Sequence, residues 1–349
     1  MKIAVDAMGG DHAPQAIVKG VVQAAEKFGQ HTFILVGDET KVEAELNANG
    51  YNGNKIEVRN ATQVIGMDEH PGRACRQKRD SSIMVATKLV AEGVAQAVVS
   101  AGSSGAQLAS ALIYLHRLPG ISRPAIISPM PTKEGGFSIV LDVGANVDCK
   151  PKYLLEFAIM GSMYLKCVYN RESPKVGLLS IGEEDAKGNE LTLATFELLK
   201  NSKLNFVGNI EGYDILKGKA DIIVCDGFVG NVVLKLSEGL AEFLFSFIKS
   251  KIVEHPIRAA FAALTLNKVF KDIKKLIDFD EYGGMPLLGI NGTSIVCHGK
   301  STPKAIVNAI NVAAEFTSKG VNEQIVKLVQ QVETKEMQKQ QETDEEYEK

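Results

Sequence analysis

Short apolar runs recur along almost the whole chain, each closing on a polar turn and leading into a stretch of helical spacing. The runs at 2–6, 32–37, 56–60, 97–101, 124–128, 137–141, 175–181, 206–209, 222–225 and 294–297 predict strands. Most are continuously apolar rather than alternating, as expected of a sheet covered by helices on both faces. Between them, 15–28, 82–92, 106–116, 154–169 and 192–200 predict helices. Strands alternating with helices mark a mainly parallel α/β architecture, so the expected fold is a doubly wound α/β/α sandwich. PMPTKEGG, between the runs at 124–128 and 137–141, is too short for a helical crossover and predicts an antiparallel hairpin.

The rhythm stops twice. Residues 240–278 are helical in spacing and interrupted at His255-Pro256, which predicts a protruding helical hairpin. Its first half carries Leu240, Phe243, Leu244, Phe247, Ile248 and Ile252, its second Phe261, Leu264, Leu266, Val269, Phe270 and Ile273. Seven basic and two acidic residues lie between Lys249 and Lys275. A basic amphipathic pair suits an anionic membrane surface, and apolar helical faces suit a dimer interface; both readings stand. Residues 333–349 hold seven acidic and three basic residues with little apolar content, predicting a flexible charged tail. One α/β domain over 1–332 is expected, with 240–278 as an insertion.

Six glycine-rich turns follow predicted strands: DAMGGDHAP at 6–14, SAGSSGAQ at 100–107, LDVGANVD at 141–148, SIGEEDAKGNE at 180–190, CDGFVGN at 225–231 and CHGKST at 297–302. Ligands of parallel α/β sheets bind at the carboxyl edge of the strands. Glycine lets the backbone approach a ligand closely, and N–H groups at helix starts attract anions. Six such turns on one edge predict a deep cleft rich in backbone donors, suited to a phosphate-like group. An enzyme is expected.

Composition narrows the classes. A net charge of −3 over 349 residues argues against nucleic-acid binding, which needs a positive field. Five cysteines without CxxC spacing read as reduced, mostly buried thiols. MKIAVDAMGG moves straight into a strand and a turn, so no signal peptide and a cytoplasmic location are expected. No apolar run approaches the ~18 residues of a spanning helix.

Familiar signatures fail. AMGGDHAP is not GxGxxG, and the HGKS of the last turn would place the first P-loop glycine at Ser294, inside a strand. HExxH and GxSxG are absent, and the six histidines lack metal-ligand spacing, so neither metal nor cofactor is expected.

MKIAVDAMGGDHAP, SAGSSGA, LDVGAN, KVGLLSIGEEDAKGN, NIEGYD, DIIVCDGFVGNVVLKLSEG and GGMPLLGINGTSIVCHGKS follow one another in order. On these segments the chain resembles the phosphate acyltransferases of bacterial phospholipid synthesis, the PlsX family, across about 1–332. That family usually has Asn-Thr where Ser103-Ser104 stand here, a change that keeps small polar groups. The resemblance implies transfer of a fatty acyl group from the thioester of acyl carrier protein to inorganic phosphate. It also implies a fold similar to phosphotransacetylases and isocitrate dehydrogenase-type enzymes, while the helical pair at 240–278 is what leads to the expectation of a homodimer with peripheral membrane contact. Rivals are a phosphotransacetylase using acyl-CoA, a dehydrogenase on the same scaffold, and a non-catalytic membrane adaptor, which would lack an open cleft lined by the turns.

Phosphate is already an anion and needs positioning, while the thioester oxyanion needs preorganised donors and the leaving thiolate a proton or positive charge. Catalytic candidates are therefore Lys187, for phosphate or the oxyanion, His298, as donor to thiolate or carbonyl, and Asp226. Lys187 alternatively lies on a solvated loop, His298 in the core, and Asp226 at a helix cap. Glu183 and Glu184 are expected to orient Lys187. Substrate-binding candidates are Asp6, Gly9, Gly10, Asp11 and His12 of the first turn, Ser103, Ser104 and Gly105 of the second, and Asp142 and Asn146 of the third. Asn189, Asn231 and Arg73 complete the set. Arg73 belongs with Arg76, Lys78 and Arg79 to a basic run that is either a solvated face or a dock for the acidic carrier.

Overall fold

The structure, a computed structural model, describes residues 1–254, 268 and 279–330. In chain order the strands are β1 (Lys2–Asp6), β2 (Thr32–Gly37), β3 (Ile56–Asn60), β4 (Ala97–Ser100), β5 (Ala125–Ile126) and β6 (Ser128–Pro131). Then come β7 (Phe137–Leu141), β8 (Lys175–Leu179), β9 (Asn205–Ile210), β10 (Ile222–Val224), β11 (Met285–Leu288) and β12 (Thr293–Val296). The helices are α1 (Gln15–Lys27), α2 (Glu39–Ala48), α3 (Pro71–Gln77), α4 (Ser82–Ala91) and α5 (Ser104–Tyr114). They continue with α6 (Pro151–Tyr169), α7 (Glu190–Lys200), α8 (Gly227–Val253), α9 (Phe279–Tyr282) and α10 (Pro303–Ser318), and residues 321–330 are also helical.

The strands divide between two sheets, where the sequence pattern suggests a single edge. The first has the order β3-β2-β1-β4-β12-β11-β5, the second β6-β7-β10-β8-β9. Pairing is parallel except around β11 and between β6 and β7. The crossing point lies inside the expected strand at 124–128. Ala125 and Ile126 pair with Leu288 and Leu287 in the first sheet, whereas Ser128 pairs with Val140 in the second. The expected hairpin exists, but its first strand is Ser128–Pro131. Pro129 and Pro131 are tolerated there because β6 is an edge strand. β11 escapes the sequence pattern because Pro286 and the flanking glycines read as loop.

Four apolar clusters hold these layers. Helices α1 and α10 cover one face of the first sheet through Ile17, Val21, Ile306 and Ile310, packed on Ile3, Val5 and Val99. Helices α3, α4 and α5 cover the other face with Cys75, Met84, Leu89 and Ala106. Helices α6 and α7 cover the second sheet through Phe157, Leu165 and Phe196. The fourth cluster joins the sheets: Ala111, Leu115, Leu287 and Val296 meet Val140, Leu179 and Ile223. The continuously apolar strands thus find helices or the other sheet on both faces.

Helix α8 runs unbroken through the first half of the expected hairpin and exposes Leu240, Phe243, Leu244, Phe247 and Ile248. His255, Pro256, Phe261 and Leu264 of the second half and the tail at 333–349 lie outside the described residues. Among the described residues no helix is long and apolar enough to cross a membrane.

Candidate active site

The turns after β1, β4 and β12 are stitched together backbone to backbone. Asp6 ends β1 and is 2% exposed; its carboxylate accepts the Ser100 hydroxyl of β4 at 2.6 Å and the Met8 N–H at 3.2 Å. A side chain at Gly9 would have its Cβ 2.5 Å from Asp6 Oδ2 and 2.7 Å from the Gly102 nitrogen, so only glycine lets the first two turns meet. The Asp11 N–H donates to the Gly299 carbonyl at 2.8 Å, which ties in the last turn. Ser103 caps α5 by accepting the Ala106 N–H at 3.4 Å, leaving the first-turn amides of Ser104 and Gly105 as helix-start donors.

The turns after β7 and β10 close on themselves. Asp142, fully buried, accepts N–H groups of Ile126 at 3.0 Å, Gly144 at 3.3 Å, Ala145 at 3.1 Å and Asn146 at 2.6 Å, and the Asn146 side-chain amide at 2.9 Å. Asn146 also donates to the Pro124 carbonyl at 2.6 Å, and Gly227 donates to the Asn146 carbonyl at 2.7 Å. Asp226 caps α8 through the Val229 N–H at 2.9 Å.

Where the two sheets meet, these turns border a cleft of about 400 Å³. One wall carries Asp11, Gly102, Ser104, His298, Gly299 and Lys300; the other carries Gly144, Gly227, Asn231 and the apolar Ile126, Val143, Val147, Phe228 and Leu234. A hollow of about 390 Å³ at the far end of α5, lined by Leu112 and residues 116–121, holds none of the candidate turns. Five of the six turns therefore reach one cleft.

The sixth does not. Lys187 is exposed and does not line the cleft, because its turn follows β8, which β10 separates from β7. Glu183 does not orient it, pairing instead with Lys219 at 2.7 Å, while Asp185 pairs with Lys200 at 3.2 Å. Glu183, Glu211 and Asp214 come within metal-ligating distance of one another, yet Lys219 already bridges Glu183 and Asp214.

Several other candidates have their side chains engaged within the protein. Asp6 and Asp142 spend their oxygens inside the protein. Gly105 is dictated by packing, since a Cβ there would lie 2.5 Å from Pro71 Cγ of α3. Asn189 caps α7, exchanging hydrogen bonds with Thr192 at 2.9 Å in both directions. His12 and Arg73 are exposed, and neither lines the cleft.

His298 is half-buried in the cleft, and its Nδ1 accepts the Lys300 N–H at 3.1 Å. The neutral ring then carries its proton on Nε2, a fixed donor. Cleft residues missed at the sequence level are Lys300, Lys235, Met67 and Phe228. HGKS contains Lys300, but without P-loop spacing the motif does not mark that lysine as a site residue.

Burial pushes the Asp6 carboxyl up, opposed by hydrogen bonds from Ser100, Ser82, Met8 and Gly9. It does the same at Asp142, opposed by Ala145, Ile126 and Asn146. Burial also raises the Cys297 thiol to about 12, so this cleft cysteine stays a thiol and supplies no nucleophile.

The fatty acid synthesis protein family matches residues 1–324. A phosphate acyltransferase of Desulfitobacterium hafniense is 53% identical over 328 residues, covering 94% of this chain and 97% of the relative. One from Geobacter sulfurreducens is 50% identical over 330 residues, covering 95% and 94%. Among solved structures, a phosphotransacetylase from Streptococcus pyogenes superposes with a TM-score of 0.63 at 17% identity, covering 92% of this chain and 94% of its own. A branched-chain phosphotransacylase from Enterococcus faecalis gives 0.55 at 14% identity, covering 91% and 99%. At such identities the likeness is one of fold.

Proposed function

The chain belongs to the fatty acid synthesis protein family, and from that premise we propose that it is a phosphate acyltransferase acting in the cleft between the two sheets. An oxygen of hydrogen phosphate attacks the carbonyl carbon of a fatty acyl thioester on acyl carrier protein. A C–O bond forms, the C–S bond breaks, and the proton of hydrogen phosphate balances the carrier thiol that leaves. The product is acyl phosphate, for use in phospholipid synthesis.

One observation carries this reading: the cleft sets helix-start donors and a histidine N–H opposite an apolar wall. The anion belongs at the Ser104 end, where the α5 amides and helix dipole favour it. The acyl chain belongs along Val143, Val147, Phe228 and Leu234. His298 Nε2–H serves as donor to the developing oxyanion or the departing sulfur. No part of this scheme asks for a strong base, in keeping with carboxylates that are committed to hydrogen bonds elsewhere. An open cleft lined by the turns also weighs against a purely adaptor role.

Finer parts follow from the same reading. The exposed Arg73 and Arg76 on α3 suit docking of an acidic carrier protein, with Pro71 of the same helix packed against the start of α5. The exposed apolar residues of α8 suit a homodimer contact with membrane contact beyond it, for a protein working in the cytoplasm. The test is phosphate-dependent loss of acyl-carrier-protein thioester, run beside acyl-CoA. Acyl phosphate should form with the carrier thioester at the higher kcat/KM. Preference for acyl-CoA would favour a phosphotransacetylase, and loss of thioester without phosphate would sink both.

A further inference from the structure

We propose that Lys300 is the cation that binds phosphate in this cleft, and that its backbone at the same time fixes the histidine donor beside it. The inference rests on the phosphate acyltransferase reading. Among the described residues two lysines line the cleft, Lys235 and Lys300. Lys235 is held by Glu238, its Nζ 2.7 Å from Oε2, on α8. Lys300 has no carboxylate within ion-pair distance among the described residues, so its charge is available to a ligand.

Its place in the chain aims that charge. Gly299, immediately before it, accepts the Asp11 N–H at 2.8 Å, and the turn containing Asp11 abuts Gly102 just ahead of α5. Lys300 is thus tied by backbone contacts to the wall that ends in the helix-start amides of Ser104 and Gly105. Two or three N–H dipoles and one ammonium form a site for a doubly charged anion, with lysine as a mobile point charge. The one carboxylate on that wall, Asp11, sits beside Gly299 and sets the limit on how closely the anion approaches that side.

The same residue orients the donor. The Lys300 N–H to His298 Nδ1 bond holds the ring in the Nε2–H form, so binding of phosphate and placement of the oxyanion donor share one short turn. Lys187 offers neither property. It lies off the cleft, on a turn whose Glu183, Glu184 and Asp185 would repel phosphate.

Initial rates are measured on the full chain with acyl carrier protein thioester, varying phosphate at saturating thioester and the reverse. Lys300→Ala should lower kcat/KM for phosphate by about 10²-fold, the scale of losing one preorganised electrostatic contact. The KM for the thioester should stay within about twofold, a split that general damage to the fold would not give. Lys300→Arg should recover most of the loss, and Lys300→Gln should not. Lys187→Ala should behave as wild type. An unchanged phosphate dependence in Lys300→Ala, or a loss that falls on Lys187→Ala, overturns the assignment while leaving the acyltransferase reading intact. Absence of phosphate-dependent thioester loss in the unsubstituted protein overturns both.

Discussion

At the edge of the first sheet, the turns after β1, β4 and β12 lean on one another: Asp6 reaches Ser100, Gly9 meets Gly102, and Asp11 meets Gly299. At the edge of the second, the turns after β7 and β10 fold onto one carboxylate, Asp142, which accepts five N–H groups from its own neighbourhood. Both edges carry the same signature, an apolar strand ending in a polar residue and glycines. The first edge cross-links distant segments and leaves a helix start, a histidine and a lysine open to the cleft. The second consumes its donors and supplies shape and an apolar wall. Glycine-rich turns at strand ends therefore report close backbone packing, and only the bookkeeping of N–H groups tells which of them holds a ligand.

That contrast predicts different failures at the two edges. The largest effect is expected at Asp142. Asp142→Ala leaves its loop amides without acceptors at the junction of the sheets, and each buried donor left unpaired costs about 1–3 kcal/mol. The midpoint of urea unfolding should fall by an amount equivalent to about 3–5 kcal/mol, and activity should fall with the folded fraction. A variant with near-native stability and abolished turnover would instead make Asp142 a reacting group.

The next effect belongs to the first edge. His298→Ala removes the donor proposed for the oxyanion or the departing sulfur but little packing, since the residue is half-buried. kcat should fall by about 10²-fold, the order seen when an oxyanion donor is deleted. The unfolding midpoint should stay within error of the unsubstituted protein. If stability drops as it does at Asp142, the two edges are not distinct in kind.

How much of this was legible follows the same line. Strands, helices and the Asp226 cap are local, written in apolar runs and in short polar residues before helices, whereas Ser103 and Asn189, read as substrate contacts, turn out to cap α5 and α7. Division into two sheets is not local: it depends on one residue, Ile127, at which the chain leaves β5 for β6, and on Asp142 clasping the Ile126 N–H sixteen positions away. Turns after neighbouring strands could be expected to meet, but which five share a cleft depends on strand order. That is why Lys187, among three acids in a glycine turn, stands out in the sequence as the site lysine. Lys300 was visible as a residue and invisible as a site, because its company, Asp11 and Ser104, arrives from elsewhere in the chain.

The smallest effect, and the sharpest on how the first edge works, concerns Asp6. Its carboxyl lies beneath the wall proposed to bind phosphate, so a full negative charge there would oppose the ligand. Burial pushes this group above the usual carboxylate range, and its hydrogen bonds from Ser100, Ser82, Met8 and Gly9 only partly reverse that. The folded protein therefore holds the proton more tightly than the unfolded chain does. Stability from this group is fully present below the unfolded value, about 3.9, and is lost as pH rises through the folded one. Asn carries no charge at any pH and keeps one acceptor oxygen for Ser100. The deficit of Asp6→Asn, read as the difference in Tm from the unsubstituted protein, should therefore be larger at pH 4.5 than at pH 7.5. A deficit that grows toward neutral pH would mean that the ionised carboxylate is the stabilising form. In that case the stitching of the first two turns would place a fixed negative charge under the anion site, and the cation at Lys300 would have to counter it as well as hold the phosphate.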